Sequence, residues 1–183
     1  MAIIKSISDP QVIDDLNNGK VGVLPTDTIY GVVAVAANQE AVEKLYILKA
    51  REKKPGTIIA ASIDQLVELG LKRRYLKAVE EYWPGAVTII VPTDNPELTY
   101  LDQSVGSLAV RVVDDTQLVK LLNETGALIT SSANQPGEKP ADTITEAQEY
   151  FGDSVDFYVD GGNLSGKKPS TLIRIVDDAI EVL

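Results

Sequence analysis

The residues with the clearest potential for chemistry are two hydroxyls around a carboxylate, Thr26-Asp27-Thr28, followed by the phenol of Tyr30. They stand between two apolar segments, residues 21–24 and 32–36, whose composition predicts buried strands. Polar side chains between buried strands need partners, which can be other side chains, water or a ligand. The run therefore predicts either a turn with local hydrogen bonds or one wall of a small-molecule site.

A group of cations lies at the end of the next predicted helix. This helix begins near Asn38, an acceptable N-cap residue, and ends in the segment 49–56, which contains Lys49 and Arg51. The segment is basic although the formal net charge of the chain is −10. Its cations could simply favour the negative end of the helix dipole, or they could bind an anionic ligand.

Three further groups of polar residues stand at the ends of predicted strands. Arg111 lies in an otherwise apolar strand, 108–112, where its charge is costly to bury unless it meets a ligand anion or a core carboxylate. Alternation along that strand places Ser107 on the same face. Ligands of open α/β sheets bind beyond the carboxyl ends of strands, so the groups predict either a pocket or a set of caps and turns. The other polar residues of these groups are Ser131, Ser132, Asn134, Ser170 and Thr171.

The elements that must position these residues alternate between strand and helix. Some neighbouring strands have no helix between them, which predicts a mixed sheet in an α/β fold. No linker composition or repeat divides the 183 residues, so one domain covering residues 1–183 is expected. The remaining predicted strands are 3–7, 57–61, 87–91, 128–131, 157–160 and 171–176, and the remaining helices are 9–19, 62–82, 116–123 and 143–152.

Composition excludes several classes of function. The chain has no cysteine and no histidine, which rules out disulfides, thiolate or imidazole metal sites and a serine–histidine nucleophile. The negative net charge argues against tight binding of nucleic acid. Residues 1–5 are too short an apolar run for a signal peptide, and no segment has the composition of a membrane span. A cytoplasmic protein is expected.

Six short motifs follow one another along the chain: Pro25-Thr26-Asp27-Thr28-Ile29-Tyr30-Gly31, Lys49-x-Arg51, Trp83-Pro84-Gly85-x-x-Thr88, Leu108-Ala109-Val110-Arg111-Val112, Ser131-Ser132-Ala133-Asn134-x-x-Gly137 and Pro169-Ser170-Thr171. Their order and content resemble the YrdC/TsaC family of threonylcarbamoyl-AMP synthases over residues 12–175, in its short, single-domain form. The resemblance implies a twisted mixed sheet with flanking helices and a concave groove.

The resemblance also implies an activity. Members of the family join L-threonine, bicarbonate or carbon dioxide, and ATP into threonylcarbamoyl-AMP and release pyrophosphate, with Mg²⁺ on the phosphates. A TsaD-type transferase then uses the product to modify tRNA. By this resemblance Lys49 and Arg51 are catalytic and bind the triphosphate, and Arg111 clamps the threonine carboxylate. The other implied contacts are Thr26, Thr28, Tyr30, Ser131, Ser170 and Thr171 on the threonine side, and Ser107, Ser132 and Asn134 on the nucleotide side.

Two alternatives and two departures from the family pattern stand beside this interpretation. The chain could be a YciO-type paralogue that binds nucleotide or RNA without this activity, or a carbamoyl-adenylate enzyme related to the YrdC-like domain of hydrogenase maturation proteins. Ala50 and Pro136 replace the glycine and serine that are usual in the family. The acidic balance predicts weak or no direct RNA binding.

Overall fold

One open sheet of ten strands forms the centre of the protein in the computed structural model, which describes residues 3–176 and 179–183. Residues 1, 2, 177 and 178 of the expected domain therefore lie outside the described part. Parallel and antiparallel pairs both occur, and this confirms the predicted mixed sheet. The strands are β1 Ile3–Ile4, β2 Gly22–Pro25, β3 Tyr30–Val35, β4 Thr57–Ala60, β5 Val87–Pro92, β6 Ser107–Val112, β7 Leu128–Ser132, β8 Phe157–Val159, β9 Thr171–Val176 and β10 Ala179–Val182.

The order of the strands brings distant motifs side by side. Across the sheet the order is β1-β8-β2-β3-β7-β4-β6-β5-β9-β10. Strands β2 and β3 form an antiparallel hairpin with Pro25 opposite Tyr30, so the four residues between them must turn tightly. On β7, Ser132 pairs with Gly31 of β3. The hairpin turn and the end of β7 therefore meet at the same place.

Helices cover both faces of this sheet. Most of them begin at a side chain that accepts a backbone hydrogen bond, as expected for N-caps. Asn38 does this for the helix that ends at the basic segment, accepting from the amide of Ala41 at 3.1 Å, as predicted. The α-helices are α1 Pro10–Asn17, α2 Gln39–Leu48, α3 Ile63–Leu69, α4 Arg73–Lys77, α5 Thr99–Asp102, α6 Thr116–Thr125 and α7 Ile144–Phe151.

Successive apolar residues on the central strands enter two different cores. Val32 of β3 belongs to the core cluster that includes the buried side chains of α2, whereas its neighbour Val33 belongs to the cluster that includes those of α1 and α6. Both valines are fully buried, which is why this strand reads as a continuous apolar run. The two cores hold the sheet between its helical layers, and the polar site must lie at the strand ends.

The structure differs from the sequence-based prediction in five places. The first strand ends at Ile4, and the third begins at Tyr30 instead of residue 32. The single helix predicted for 62–82 is divided, because Gly70 adopts φ +117° and ends α3. Residues 92–106, where the sequence predicts neither helix nor strand, contain a 3₁₀ turn and the short helix α5, and β10 was not predicted.

Candidate active site

A polar cavity of about 200 Å³ lies where the β2–β3 turn meets the ends of β6 and β7. The segment before β9 and the loop after α2 complete its walls. No carboxylate residue is among the described residues that line it. Its lining consists of Thr26, Thr28, Ile29, Tyr30, Gly31, Arg51, Thr57, Arg111, Thr130, Ser131, Ser132, Pro169 and Ser170.

The hairpin turn is held by its own hydroxyls. The hydroxyl of Thr26 donates to the carbonyl of Ile29 at 2.7 Å and accepts from the amide of Thr28 at 3.2 Å. The two threonine hydroxyls also lie 3.1 Å apart. The predicted local turn is therefore present, and the same two threonines also line the cavity.

Tyr30 connects the hairpin to the loop that follows β8. Its hydroxyl donates to the carbonyl of Gly162 and accepts from the amide of Gly161, both at 2.8 Å. Burial raises the pKa of the Tyr30 phenol, so it remains a neutral donor and acceptor at neutral pH. A Cβ atom on Gly161 would lie 2.5 Å from Pro25, so glycine permits this close approach. The loop leads on to Pro169 and Ser170 at the cavity.

Arg111 forms a buried ion pair with Asp27. Its Nη2 and Nε atoms donate to the two carboxylate oxygens at 2.9 and 3.2 Å, and the side chains of Arg111 and Asp27 are only 4% and 7% exposed. Nη1 donates to the hydroxyl of Thr88 at 2.9 Å, and that hydroxyl lies 2.6 Å from Ser170 Oγ. The core carboxylate considered from the sequence is therefore present, on the hairpin turn itself.

Ser131 is among the residues that line this cavity, and its own hydroxyl is buried. Within the described residues its Oγ has no hydrogen-bonding partner, although the residue is 5% exposed. An unpaired buried hydroxyl is costly, so this group is an exception among the buried polar side chains. Gly31 also lines the cavity, and it has no room for a side chain, because a Cβ atom would lie 2.3 Å from Thr130 Oγ1.

Arg51 supplies the second guanidinium of the cavity. Its Nη1 donates to the carbonyls of Lys54 and Pro55 at 2.9 and 3.0 Å, which holds the basic segment in a tight loop. Burial lowers the pKa of Arg51, but an arginine remains charged at any physiological pH. An anion in the cavity would therefore meet a fixed positive charge.

Lys49 is buried, although it ends an amphipathic helix. Its Nζ donates to the carbonyl of Ser132 at 2.8 Å and to the carbonyl of Asn134, and it lies 5.7 Å from the ring centre of Phe151. Burial, followed by repulsion from Arg51, lowers its pKa from 10.5 to about 8. Lys49 thus holds the turn after β7 and does not itself line the cavity.

The structure brings together most of the predicted site residues. Four lie outside the cavity lining: Lys49 and Asn134 behind the turn after β7, Ser107 at the start of β6, and Thr171 on the exposed first position of β9. Their predicted roles remain predictions. Sequence reasoning gave no role to Asp27 or Thr88, although both stand inside quoted motifs.

Two other properties of the described residues bear on the site. No group of three or more histidine, cysteine, aspartate or glutamate residues is arranged there to hold a metal ion. Among the helices within residues 3–176 and 179–183, none has the length and hydropathy that crossing a membrane requires.

Comparison with known proteins agrees with the motif order. Residues 14–183 match the Sua5/YciO/YrdC family model, described as "Telomere recombination". The threonylcarbamoyl-AMP synthase of Vibrio campbellii is 36% identical over 168 residues, covering 88% of this chain and 91% of that protein. That of Aliivibrio fischeri is 37% identical over 150 residues, covering 79% and 81%.

Solved structures share the fold. The crystal structure of P. abyssi Sua5 complexed with L-threonine superposes with a TM-score of 0.85 at 23% identity. The superposition covers all of this chain and 57% of the Sua5 chain. E. coli YciO superposes with a TM-score of 0.79 at 22% identity, covering 97% of this chain and 87% of that one. From the family match and the close relatives together, this chain belongs to the Sua5/YciO/YrdC family.

Proposed function

We propose that the protein is a threonylcarbamoyl-AMP synthase, which converts L-threonine, bicarbonate and ATP into threonylcarbamoyl-AMP and pyrophosphate. The observation that carries this proposal is the cavity, a small polar space lined by two arginines and by several threonine and serine residues. Two cationic groups and several hydroxyls suit a ligand with two anionic ends and a polar centre. Threonylcarbamoyl-AMP has these features, because its threonine carboxylate is free and its phosphate carries the second negative charge.

The reaction needs positioned groups more than a protein nucleophile. The threonine amine, as the free base, adds to carbon dioxide derived from bicarbonate; a C–N bond forms and a proton leaves, giving a carbamate. A carbamate oxygen then attacks the α-phosphorus of ATP, and the bond from that phosphorus to pyrophosphate breaks. Holding both reactants in line and neutralising the developing charge supplies most of the acceleration in such steps. A chain without histidine can therefore carry them out.

Arg51 is the residue that we assign to the phosphates. It lines the cavity, and no acidic side chain lies within 4.0 Å of it or of Lys49 among the described residues. Its charge is therefore available to an anion, and Lys49 adds to the local positive potential from behind the turn. The magnesium ion would enter on the substrate, as MgATP, because Mg²⁺ is commonly held by phosphates and water with few protein ligands.

Arg111 is assigned to the threonine carboxylate. A guanidinium has five N–H groups, and Asp27 and Thr88 accept from three of them. Within the described residues no other acceptor is bonded to Arg111, so two N–H groups remain for a ligand. Recognition then comes from donors whose direction is already fixed by the ion pair. Threonine binding through Ser131, Ser170, Thr26 and Thr28 belongs to the same proposal.

The test is release of pyrophosphate from ATP by the purified protein, with threonine and bicarbonate each omitted in turn. Release that requires both is expected. In Arg111→Ala protein that is folded by circular dichroism, the KM for threonine should rise about a hundredfold while the KM for ATP stays nearly unchanged, since a charged contact of about 2.7 kcal/mol is lost. Arg74→Ala, at an exposed arginine outside the cavity, is the control. Release without any need for threonine would reject the proposal.

A second candidate is a nucleotide-binding paralogue of the YciO type. It is supported by the shared fold and by the ion pair between Asp27 and Arg111, which already neutralises the arginine. Such a protein would bind ATP but would release no pyrophosphate on addition of threonine and bicarbonate. Delivery of the product to a TsaD-type transferase for tRNA modification is part of the first proposal, and the same assay with that partner added would extend the test.

A further inference from the structure

Thr88 belongs to a quoted motif to which the proposed reaction gives no role. It is the second residue of β5, and it is 1% exposed. Its hydroxyl accepts from Arg111 Nη1 at 2.9 Å and lies 2.6 Å from Ser170 Oγ. Arg111 and Ser170 both line the cavity, whereas Thr88 does not. Thr88 therefore lies behind two cavity residues and touches both.

The sheet explains why one residue can reach both. Strand β5 pairs with β6, which carries Arg111, and on its other side with β9, which Ser170 directly precedes. A hydroxyl can accept one hydrogen bond and donate another at once, so threonine can connect an arginine to a serine. The methyl group of a valine at the same place would leave an Arg111 N–H group buried without an acceptor.

We propose that Thr88 is a positioning residue for the carboxylate end of the substrate, an inference that rests on the proposed function. It fixes the direction of the Arg111 guanidinium relative to Ser170, so that the two free N–H groups of the arginine and the serine hydroxyl converge on one ligand. Asp27 holds the opposite edge of the same guanidinium. Small rotations of a supporting side chain weaken such sites, because the productive geometry is narrow.

The test compares Thr88→Val with Thr88→Ser in the pyrophosphate assay. Valine keeps the shape and removes the hydroxyl, and serine keeps the hydroxyl. We expect Thr88→Val to raise the KM for threonine about tenfold with the KM for ATP changed less than about twofold, and Thr88→Ser to restore most of the affinity. Thr125→Val is the matched control, since Thr125 is also buried and its hydroxyl bonds only within and after α6.

Two further measurements separate positioning from a structural role. Calorimetric titration with L-threonine alone should show the same loss of affinity in Thr88→Val. The double variant Thr88→Val, Ser170→Ala should lose less threonine affinity than the sum of the two single losses, because part of the effect of Thr88 acts through Ser170. Additive losses would overturn the proposal. If Thr88→Val does not fold, Thr88→Ala and Thr88→Ser, which differ only in the hydroxyl, replace it.

The outcomes also distinguish this inference from the proposed function. Wild-type protein that needs threonine for pyrophosphate release, together with a Thr88→Val variant indistinguishable from Thr125→Val, would overturn the positioning role alone. An equal fall in kcat/KM for both substrates would make Thr88 a structural residue and would also overturn it. Wild-type protein that neither binds threonine nor releases pyrophosphate would remove the proposed function and this inference with it.

Discussion

Two buried cations of the site are surrounded in different ways. The Arg111 cluster, formed by Asp27, Thr88, Arg111 and Ser170, places a carboxylate directly against the guanidinium. In the Lys49 cluster, formed by Lys49, Ser132 and Asn134, the ammonium donates to carbonyl and amide oxygens. Among the described residues, a carboxylate neutralises the first cation, and none forms an ion pair with the second.

This difference indicates what each cluster can do. A neutralised pair contributes little long-range field, but it holds its donors in fixed directions, which suits recognition of a carboxylate. An ammonium without a counterion, close to a second cation at Arg51, creates a positive potential that suits phosphates. The lowered pKa of Lys49, about 8, is the cost of keeping that charge buried beside another.

Removing the carboxylate of the Arg111 cluster should have the largest effect, and that effect is on stability. Asp27→Asn leaves the guanidinium buried without its counterion and should lower the free energy of unfolding by about 3–5 kcal/mol. Asp64→Asn, which breaks the exposed pair with Arg73, should cost less than about 1 kcal/mol. Urea denaturation measures both. Similar losses of unfolding free energy in the two variants would mean that the buried ion pair stabilises the fold no more than an exposed one.

The next largest effect is on catalysis and comes from changing Arg51, the cation assigned to the phosphates. Arg51→Lys keeps the charge but loses the planar fork, and we expect kcat/KM for ATP to fall about a hundredfold, or about 2.7 kcal/mol. The fold should be intact by circular dichroism. Arg74→Lys, at an exposed arginine, is the control. Near-normal turnover in Arg51→Lys would remove the phosphate assignment.

A smaller effect concerns pH. Because the pKa of Lys49 is lowered to about 8, its charge is present at pH 7 and largely lost by pH 9. ATP affinity should therefore fall by about fivefold across that range, as one nearby charge is removed. Lys49→Arg remains charged throughout, so its ATP affinity should be flat over the same range if the variant folds. An identical pH profile for the two proteins would contradict this role of Lys49.

The smallest effect concerns the loop between the two cations. Ala50 has φ +47°, a left-handed conformation that costs alanine energy and that glycine adopts freely. Ala50→Gly should therefore raise the free energy of unfolding by about 0.5–1 kcal/mol. Ala78→Gly, at a residue with φ −63°, should lower it. Equal destabilisation by both changes would show that residue 50 is not strained.

Much of the fold was accessible from the sequence because its signals are local. Apolar runs, caps such as Asn38 and the proline that ends β2 each act within a few residues, and the mixed sheet was predicted correctly from them. The division of the 62–82 helix was missed although Gly70 marks it. Strand β10 was missed because its partner, β9, supplies its backbone hydrogen bonds.

The site was predicted as a set of residues but not as a set of contacts. The motif order led to the family, and that resemblance is confirmed. The ion pair of Arg111 joins residues 84 positions apart, and the contact of Lys49 with Ser132 spans 83. No local pattern specifies such pairings, because they depend on the order of strands in the sheet. The burial of Lys49 and the connecting role of Thr88 therefore became visible only in the structure.

The most direct test of the account is identification of the product. The protein is incubated with ATP, L-threonine and ¹³C-labelled bicarbonate, and the mixture is analysed at once by mass spectrometry. We expect wild-type protein to form threonylcarbamoyl-AMP that carries the label, and we expect this product to be strongly reduced in both Arg51→Lys and Arg111→Ala. Unlabelled AMP without any threonine adduct, or an adduct formed equally well by both variants, would contradict it.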